Sequence, residues 1–362
     1  MRAQPQRLRE PGWWAVVAEF EGAVHAWRFA DVQRGPGAGT AVAAEPGSVW
    51  DGPDPVSWSS SLDRPAYVAA VRRVREHVRD GDVYQANLCR VLSAPLGAAG
   101  REPDARALAA RLAVGNPAPY AGGVHVPGGG RHRAEWVVSA SPELFLRLDD
   151  GTLTSGPIKG TAMTAAGLTA KDRAENVMIT DLVRNDLQRV CRPASVEVTD
   201  LLAVEQHPGL VHLVSTVQGV LAAPVAAAPD LWGRLLDATY PPGSVSGAPK
   251  LSALDVIAAL EAEPRGPYCG TVGWVEVGED GSTRAELAVG IRTFWWRADG
   301  PAGPDGVAGG TLRFGTGAGI TWGSDPDAEW AETELKASRL VRLASADGAG
   351  LSASADGATL AP

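Results

Sequence analysis

Of the 33 basic residues in this chain, only Lys159, Lys171, Lys250 and Lys336 are lysine. Arginine supplies the rest of the positive charge. Lysine can lose its proton and act as a nucleophile, whereas guanidinium stays charged. Lys159 sits in Gly156-Pro157-Ile158-Lys159-Gly160-Thr161. Two further segments pair carboxylates at i, i+3: Asp172 with Glu175, and Glu329 with Glu332, the latter followed one turn on by Lys336. On helices each pair shares a face. Two such faces brought together would bind a hard cation such as Mg²⁺, which completes its shell with water and substrate oxygen. Two solvated helix faces would carry the same spacing.

Glycine-rich segments accompany these charges. Gly243-Ser244-Val245-Ser246-Gly247-Ala248-Pro249-Lys250 runs into a helix and offers backbone N–H groups to an anion. Gly315-Thr316-Gly317-Ala318-Gly319-Ile320 permits close backbone approach. Neither has the spacing or context of a P-loop or a dinucleotide fingerprint. Arg292 lies among apolar neighbours in Gly290-Ile291-Arg292-Thr293. A buried arginine needs an anionic partner, either a structural carboxylate or a substrate one.

Hydrophobic periodicity supplies the elements that must hold these residues. Strands with a turn at Glu21-Gly22 are predicted over 13–20 and 24–29, and a loop over 35–55. An amphipathic helix over 63–79 carries Val71, Val74 and Val78 on one stripe and stops at Gly81. Strand 83–92 places Val83, Gln85, Asn87 and Cys89 on one face. Further helices are predicted over 101–114, 171–190, 229–238, 251–261 and 325–343, where Asp325 caps and Pro326 opens the last one. Strands are predicted over 135–148, 152–154, 195–204, 211–221, 271–277, 284–296 and 311–315. Residues 1–60 read as a short strand-rich N-terminal addition packed on the main domain, 61–343 as the catalytic domain, and 344–362 as a disordered tail.

The 362 residues, 45% hydrophobic and 21% charged, are ordinary for a globular chain with a sizeable core. A net charge of −9 argues against a dedicated nucleic-acid binder, though not against a small anionic substrate. Three dispersed cysteines, Cys89, Cys191 and Cys269, fit reduced thiols in a cytoplasmic protein. No signal peptide or membrane span is expected.

Several ordered motifs together resemble the chorismate-utilising enzymes. They are Gly81-Asp82-Val83-Tyr84-Gln85-Ala86-Asn87, Ser141-Pro142-Glu143, Pro157-Ile158-Lys159-Gly160-Thr161, and Glu175-Asn176-Val177-Met178-Ile179-Thr180-Asp181-Leu182-Val183-Arg184-Asn185-Asp186. Ser246-Gly247-Ala248-Pro249-Lys250, Gly266-Pro267-Tyr268-Cys269-Gly270, Ile291-Arg292-Thr293, and Ser324-Asp325-Pro326 through Glu329, Glu332 and Lys336 complete the series. The resemblance runs from about 63 to 343 and implies an α+β fold, a large α/β sandwich of antiparallel sheets with helices outside. Within the family, Pro-Ile-Lys-Gly-Thr resembles the aminodeoxychorismate synthase component I branch, where anthranilate synthase component I has Pro-Ile-Ala-Gly-Thr. Gln85 stands where the water-adding members carry a lysine base, so ammonia is the implied nucleophile.

The resemblance also implies roles. Glu143 donates a proton to the departing 4-hydroxyl of chorismate, and Lys159 attacks C2. Ammonia then displaces Lys159 by attack at C4. Mg²⁺ is implied between Glu175 and Glu332, with Glu329 and Asp172 in support. The substrate is implied to meet Arg292, Tyr268, Gly317, Gly319, Lys336, Thr161, Ser246, Gly247 and, near it, His212. None of the three cysteines lies in a glycine-flanked nucleophile turn, so ammonia is expected from solution or from a separate glutamine amidotransferase subunit. The alternative product is that of anthranilate synthase component I. More distant rivals are a lysine Schiff-base aminotransferase and an inert scaffold. Asp181, Arg184, Asn185 and Asp186 read as a buried structural network. Ala162-Met163-Thr164 departs from the Arg-Pro-Arg of many members and bears on loop closure.

Overall fold

Two segments that read as single long strands, 135–148 and 284–296, are each broken in the middle. The computed structural model describes residues 5–33, 49–97, 101–129, 133–207, 210–300 and 309–346. The chain begins with β1 (Gly12–Ala18), β2 (Val24–Phe29), β3 (Ser59–Ser60), α1 (Arg64–Asp80), β4 (Gln85–Leu96), α2 (Ala105–Gly115) and β5 (Tyr120–Val126). Then come β6 (Glu135–Ser141), β7 (Leu144–Asp149), β8 (Thr152–Gly156), β9 (Ile158–Ala162), α3 (Ala170–Gln188), β10 (Glu197–His207) and β11 (Leu210–Val220). After these follow α4 (Ala223–Ala226), α5 (Leu231–Thr239), β12 (Gly247–Ala248), α6 (Lys250–Leu260), β13 (Thr271–Val277), β14 (Thr283–Val289), β15 (Thr293–Ala298), β16 (Gly310–Ile320) and α7 (Pro326–Ala344).

The strands form two antiparallel sheets flanked by helices. One is ordered β10-β11-β8-β7-β14-β13-β1-β2, with β9 also on β11; the other is β12-β4-β16-β15-β6-β5, with β3 on β4. The breaks in 135–148 and 284–296 are crossings between these sheets. β6 leaves one sheet at Ser141 and β7 enters the other at Leu144; β14 and β15 cross in the opposite direction. Pro142 has no N–H for a ladder, which helps end the strand there. At the other crossing Arg292 takes a left-handed φ of 52°, costly for a residue with a side chain. The crossings lie side by side. Val289 N–H donates to Glu143 O at 3.0 Å, and Ala140 N–H donates to Arg292 O at 3.0 Å.

Apolar surface closes each layer. Leu146 and Leu153 of the larger sheet pack with Ile179 and Leu187 of α3 and Leu235 of α5. Leu108 of α2 and Leu340 of α7 cover Trp136, Phe294, Trp296 and Leu312 of the smaller sheet. Tyr67 and Val71 of α1 join Leu88, Ile320 and Ala253. Helix α7 is fixed at both ends. Asp325 accepts from the N–H groups of Asp327 and Ala328, while Trp50 Nε1 donates to Ala344 O at 2.8 Å. The N-terminal strands belong to the larger sheet, since β1 pairs with β13 along its whole length. Most of the expected loop 35–55 and of the tail 344–362 lies outside the described residues. Among the described residues no helix is long and apolar enough to cross a membrane.

Gly247 shows how tight the pairing is. Its φ is +151°, and a Cβ there would lie 2.2 Å from Gln85 O. The variant Gly247→Ala is expected to destabilise the fold by about 2 kcal/mol or more. A urea titration checks this, and an unchanged midpoint would show that β12 yields freely.

Candidate active site

The site gathers where the two sheets exchange strands. Glu143 occupies one crossing and is 4% exposed. Burial pushes its carboxyl up to about 7, against the pull of the Ser244 hydroxyl, the charge of Lys159 and the Ile158 N–H. Lys159, on β9, is partly buried. Its Nζ donates to Ser244 O at 3.2 Å. Burial lowers its pKa, Glu175 opposes that shift, and Lys336 adds to it. One residue, Ser244, therefore touches both groups, the acid with its hydroxyl and the amine with its carbonyl. Its neighbours were visible in the sequence as a glycine-rich segment, but nothing there marked Ser244 itself.

Two glycines let these groups approach. A Cβ on Gly319 would lie 2.6 Å from Gln85 Nε2 and 3.7 Å from Lys159 Nζ, so the missing side chain leaves room for both. Gln85 is fully buried, and neither its amide nitrogen nor its oxygen has a hydrogen-bond partner. Buried polar atoms left this way call for a ligand or water. Gly160 has φ +89°, and a Cβ there would lie 2.8 Å from Asp172 Cβ. The first turn of α3 can thus sit directly against β9, which carries Lys159.

Carboxylates from α3 and α7 enter the same field. Glu175 and Glu332 both act electrostatically on Lys159. Glu175 Oε1 is buried without a hydrogen-bond partner, and Lys171 Nζ stands 3.7 Å from it. Glu332 pairs with Lys336 at 2.6 Å, and Lys336 Nζ also donates to Gly317 O at 3.1 Å. Glu329 is buried; burial and Glu332 raise its pKa, while Ser324, Lys171 and Lys336 lower it. Asp172 is engaged otherwise: its Oδ2 accepts from Thr169 N at 2.8 Å and Thr169 Oγ1 at 2.7 Å, closing the cap of α3. Among the described residues no three His, Cys, Asp or Glu side chains are close enough to hold a metal by themselves.

Other residues expected at the site are placed as follows. Arg292 is partly buried, and burial together with Arg339 disfavours its charge. No carboxylate of the described residues pairs with it. Tyr268 is buried with its ring against Gly315, where a Cβ would lie 2.0 Å from Cγ, and its hydroxyl lies 3.9 Å from Cys89 Sγ. Ser246 turns its hydroxyl back to Pro242 O at 3.0 Å. The close neighbours of Gly317 are Cys89 and Leu88 of β4. His212 is buried on β11, opposite Thr161 in the ladder, and the Thr161 side chain lies outside the described residues. The Asp181 cluster is not one buried network. Asp181 and Arg184 pair on the exposed side of α3, whereas Asp186 turns inward to Lys250 Nζ at 2.6 Å.

The family model for chorismate binding enzymes matches residues 38–342. The chain belongs to this chorismate-binding enzyme family. Among its relatives, anthranilate synthase component 1 of Streptomyces coelicolor is 39% identical over 300 residues, 78% of this chain and 52% of that protein. Aminodeoxychorismate synthase component 1 of Klebsiella aerogenes is 33% identical over 297 residues, 79% of this chain and 59% of that protein. The crystal structure of anthranilate synthase component I from Streptococcus pneumoniae TIGR4 superposes with a TM-score of 0.64 at 28% identity, covering 82% of this chain and 61% of that one. The chain thus spans about half the length of the first of these relatives. The chain shares its fold, two antiparallel sheets flanked by helices, with the solved relative.

The raised Glu143 pKa ties stability to pH. A carboxyl whose folded pKa, about 7, exceeds its ordinary 4.5 stabilises the fold fully below 4.5. That contribution is lost as pH rises toward 7. Relative to Glu143→Gln, the wild type should lose about 3 kcal/mol across that window. Urea denaturation at pH 5 and pH 8 checks it; a constant difference between the two proteins would mean that Glu143 titrates normally.

Proposed function

We propose that this enzyme transfers an amino group from ammonia to chorismate, forming 4-amino-4-deoxychorismate through a covalent bond to Lys159. The observation that carries the reading is the amine and the acid meeting at Ser244, with Lys159 shifted toward the free amine and Glu143 toward the protonated acid. These are the forms that attack and protonation require. The neutral amine adds at C2, the ring double bonds shift, and the C4–O bond breaks. The 4-hydroxyl leaves as water with the Glu143 proton, and the attacking amine gives up a proton in turn. Ammonia then adds at C4 and gives up a proton, the double bonds shift back, and the C2–N bond breaks with a proton returned to the Lys159 nitrogen, which leaves as the free amine. The orphaned amide of Gln85 offers N–H donors and a carbonyl acceptor to an uncharged nucleophile such as ammonia.

Arg292 and Lys336 supply cations for the two carboxylates of chorismate. Mg²⁺ suits the chemistry of the remaining donors: Glu175, with its orphaned oxygen, and Glu332 come from separate helices, with Glu329 beside them. Two carboxylates plus substrate and water is a usual Mg²⁺ arrangement. When bound there, the ion would neutralise a substrate carboxylate and the carboxylates around it. Relatives named as component 1 support a second component, and a glutamine amidotransferase that releases ammonia fits that place.

A second reading is anthranilate synthase component I, with ammonia adding at C2 and pyruvate lost. Overall identity favours it: the Streptomyces coelicolor protein of that name is 39% identical, against 33% for the Klebsiella aerogenes aminodeoxychorismate synthase. The local argument for the first reading is the lysine at 159. Incubation with chorismate, Mg²⁺ and ammonium salt at alkaline pH separates the two. A non-fluorescent product that retains the enolpyruvyl group supports 4-amino-4-deoxychorismate, whereas fluorescent anthranilate with pyruvate supports the second reading.

Two further outcomes are expected. Rapid quenching with chorismate and no ammonia should give an adduct on Lys159 in the intact mass. Lys159→Ala should lose both the adduct and most formation of 4-amino-4-deoxychorismate; equal rates with the wild type would reduce Lys159 to a binding residue. Glu175→Gln or Glu332→Gln should raise the Mg²⁺ needed for half-maximal rate by about 10-fold or more. Full activity in excess chelator would remove the metal from the proposal.

A further inference from the structure

Between its pairings with β12 and β3, the outer edge of β4 is left without a strand over Asn87–Cys89. A buried side-chain pair fills the gap. Glu261 Oε1 accepts from Cys89 N–H at 2.8 Å, and Arg265 Nη2 donates to Asn87 O at 2.6 Å. The pair is itself bidentate, with Arg265 Nε to Glu261 Oε2 at 2.7 Å and Nη2 to Oε1 at 2.6 Å. Arg265 Nη1 then crosses to Val245 O at 2.9 Å. The guanidinium is 1% exposed and lies 4.1 Å over the Phe20 ring, and the Arg265 N–H is held by Glu21 Oε1 at 2.6 Å.

We propose that Glu261 and Arg265 are positioning residues that clamp the Ser244 turn to β4, and thereby fix Lys159, Glu143 and Gln85 relative to one another. Val245 O belongs to the residue after Ser244, whose hydroxyl meets Glu143 and whose carbonyl takes the Lys159 amine. Asn87 O lies two residues from Gln85, and Asn87 N–H donates to Ser246 O at 2.8 Å, so both clamped segments lead into the site. Arginine is required because its planar fork reaches Glu261, Asn87 and Val245 at once, whereas an ammonium is a point donor.

The clamp rests on the reading of Lys159 and Glu143 as the reacting groups, so the test has one arm that does not depend on turnover. Arg265→Lys is expected to stay folded, to hold KM for chorismate near wild type because Arg292 and Lys336 are untouched, and to lose about 100-fold in kcat through misplacement. The independent arm labels the protein with an amine-reactive reagent and compares Lys159 with Lys171, which is 58% exposed. The ratio should be low in the wild type and rise several-fold in Arg265→Lys, as the amine leaves the Ser244 carbonyl. An unchanged kcat with an unchanged labelling ratio overturns the clamp, as does a rise in KM at constant kcat. If Arg265→Lys does not fold, the double variant Glu261→Leu with Arg265→Met, which exchanges a buried ion pair for apolar volume, is read in the same way. If the wild type makes no product from chorismate, the function is refuted while the labelling ratio still judges the clamp.

Discussion

The arrangement of this fold hangs on two segments changing sheets at the same place. Each crossing gives up ladder hydrogen bonds, and each recovers some from the other: Val289 N–H meets Glu143 O, and Ala140 N–H meets Arg292 O. Neither break is stable alone, because a backbone group buried without a partner is costly. Paired, they form a seam of backbone contacts that carries Glu143 at one crossing and Arg292 at the other. The strained φ of Arg292 belongs to that seam. The helices α3 and α7 then need only bring their charged faces to its mouth.

The seam also accounts for the opposite shifts of Glu143 and Lys159. Burial disfavours charge on both, raising the acid and lowering the base. Mutual attraction works against this, since an ionised pair would stabilise itself. Desolvation is the larger effect for each, so burial moves each group toward its uncharged form. Glu175 opposes that outcome at Lys159, and Lys336 supports it.

Much of this was legible in the sequence. The stop at Gly81 and the cap at Asp325 mark the end of α1 and the start of α7 as read, since each acts through local hydrogen bonds, while Asp63, read as the first residue of α1, is its cap. The motif residues Lys159, Glu143 and Gln85 do come together. The crossings were not read, although Pro142-Glu143 and Gly290 through Arg292 interrupt the apolar pattern there; such a break marks where a strand ends, whereas the change of sheet is set by partners far off in sequence. Short β9 and β12 carry no alternation of their own; their partners define them. Ser244 and Arg265 escaped for a similar reason. Their importance lies in what their atoms reach across the fold, although Glu261 and Arg265 do stand one helical turn apart in sequence.

The two longest-range pairings set the order in which this protein can be built. β1 finds its partner only when β13 exists, and β4 is incomplete until β16, residues 310–320, has been made. During synthesis the N-terminal strands must wait with open, apolar edges for most of the chain to follow. Such non-local topology makes folding slow and leaves unpaired edges exposed to aggregation. A ribosome-stalled chain ending before β16 would carry Lys159, Glu143 and Arg292 without Gly319 or α7. Gly319 and the charged face of α7 can therefore join the site only after residues 310–344 have been made.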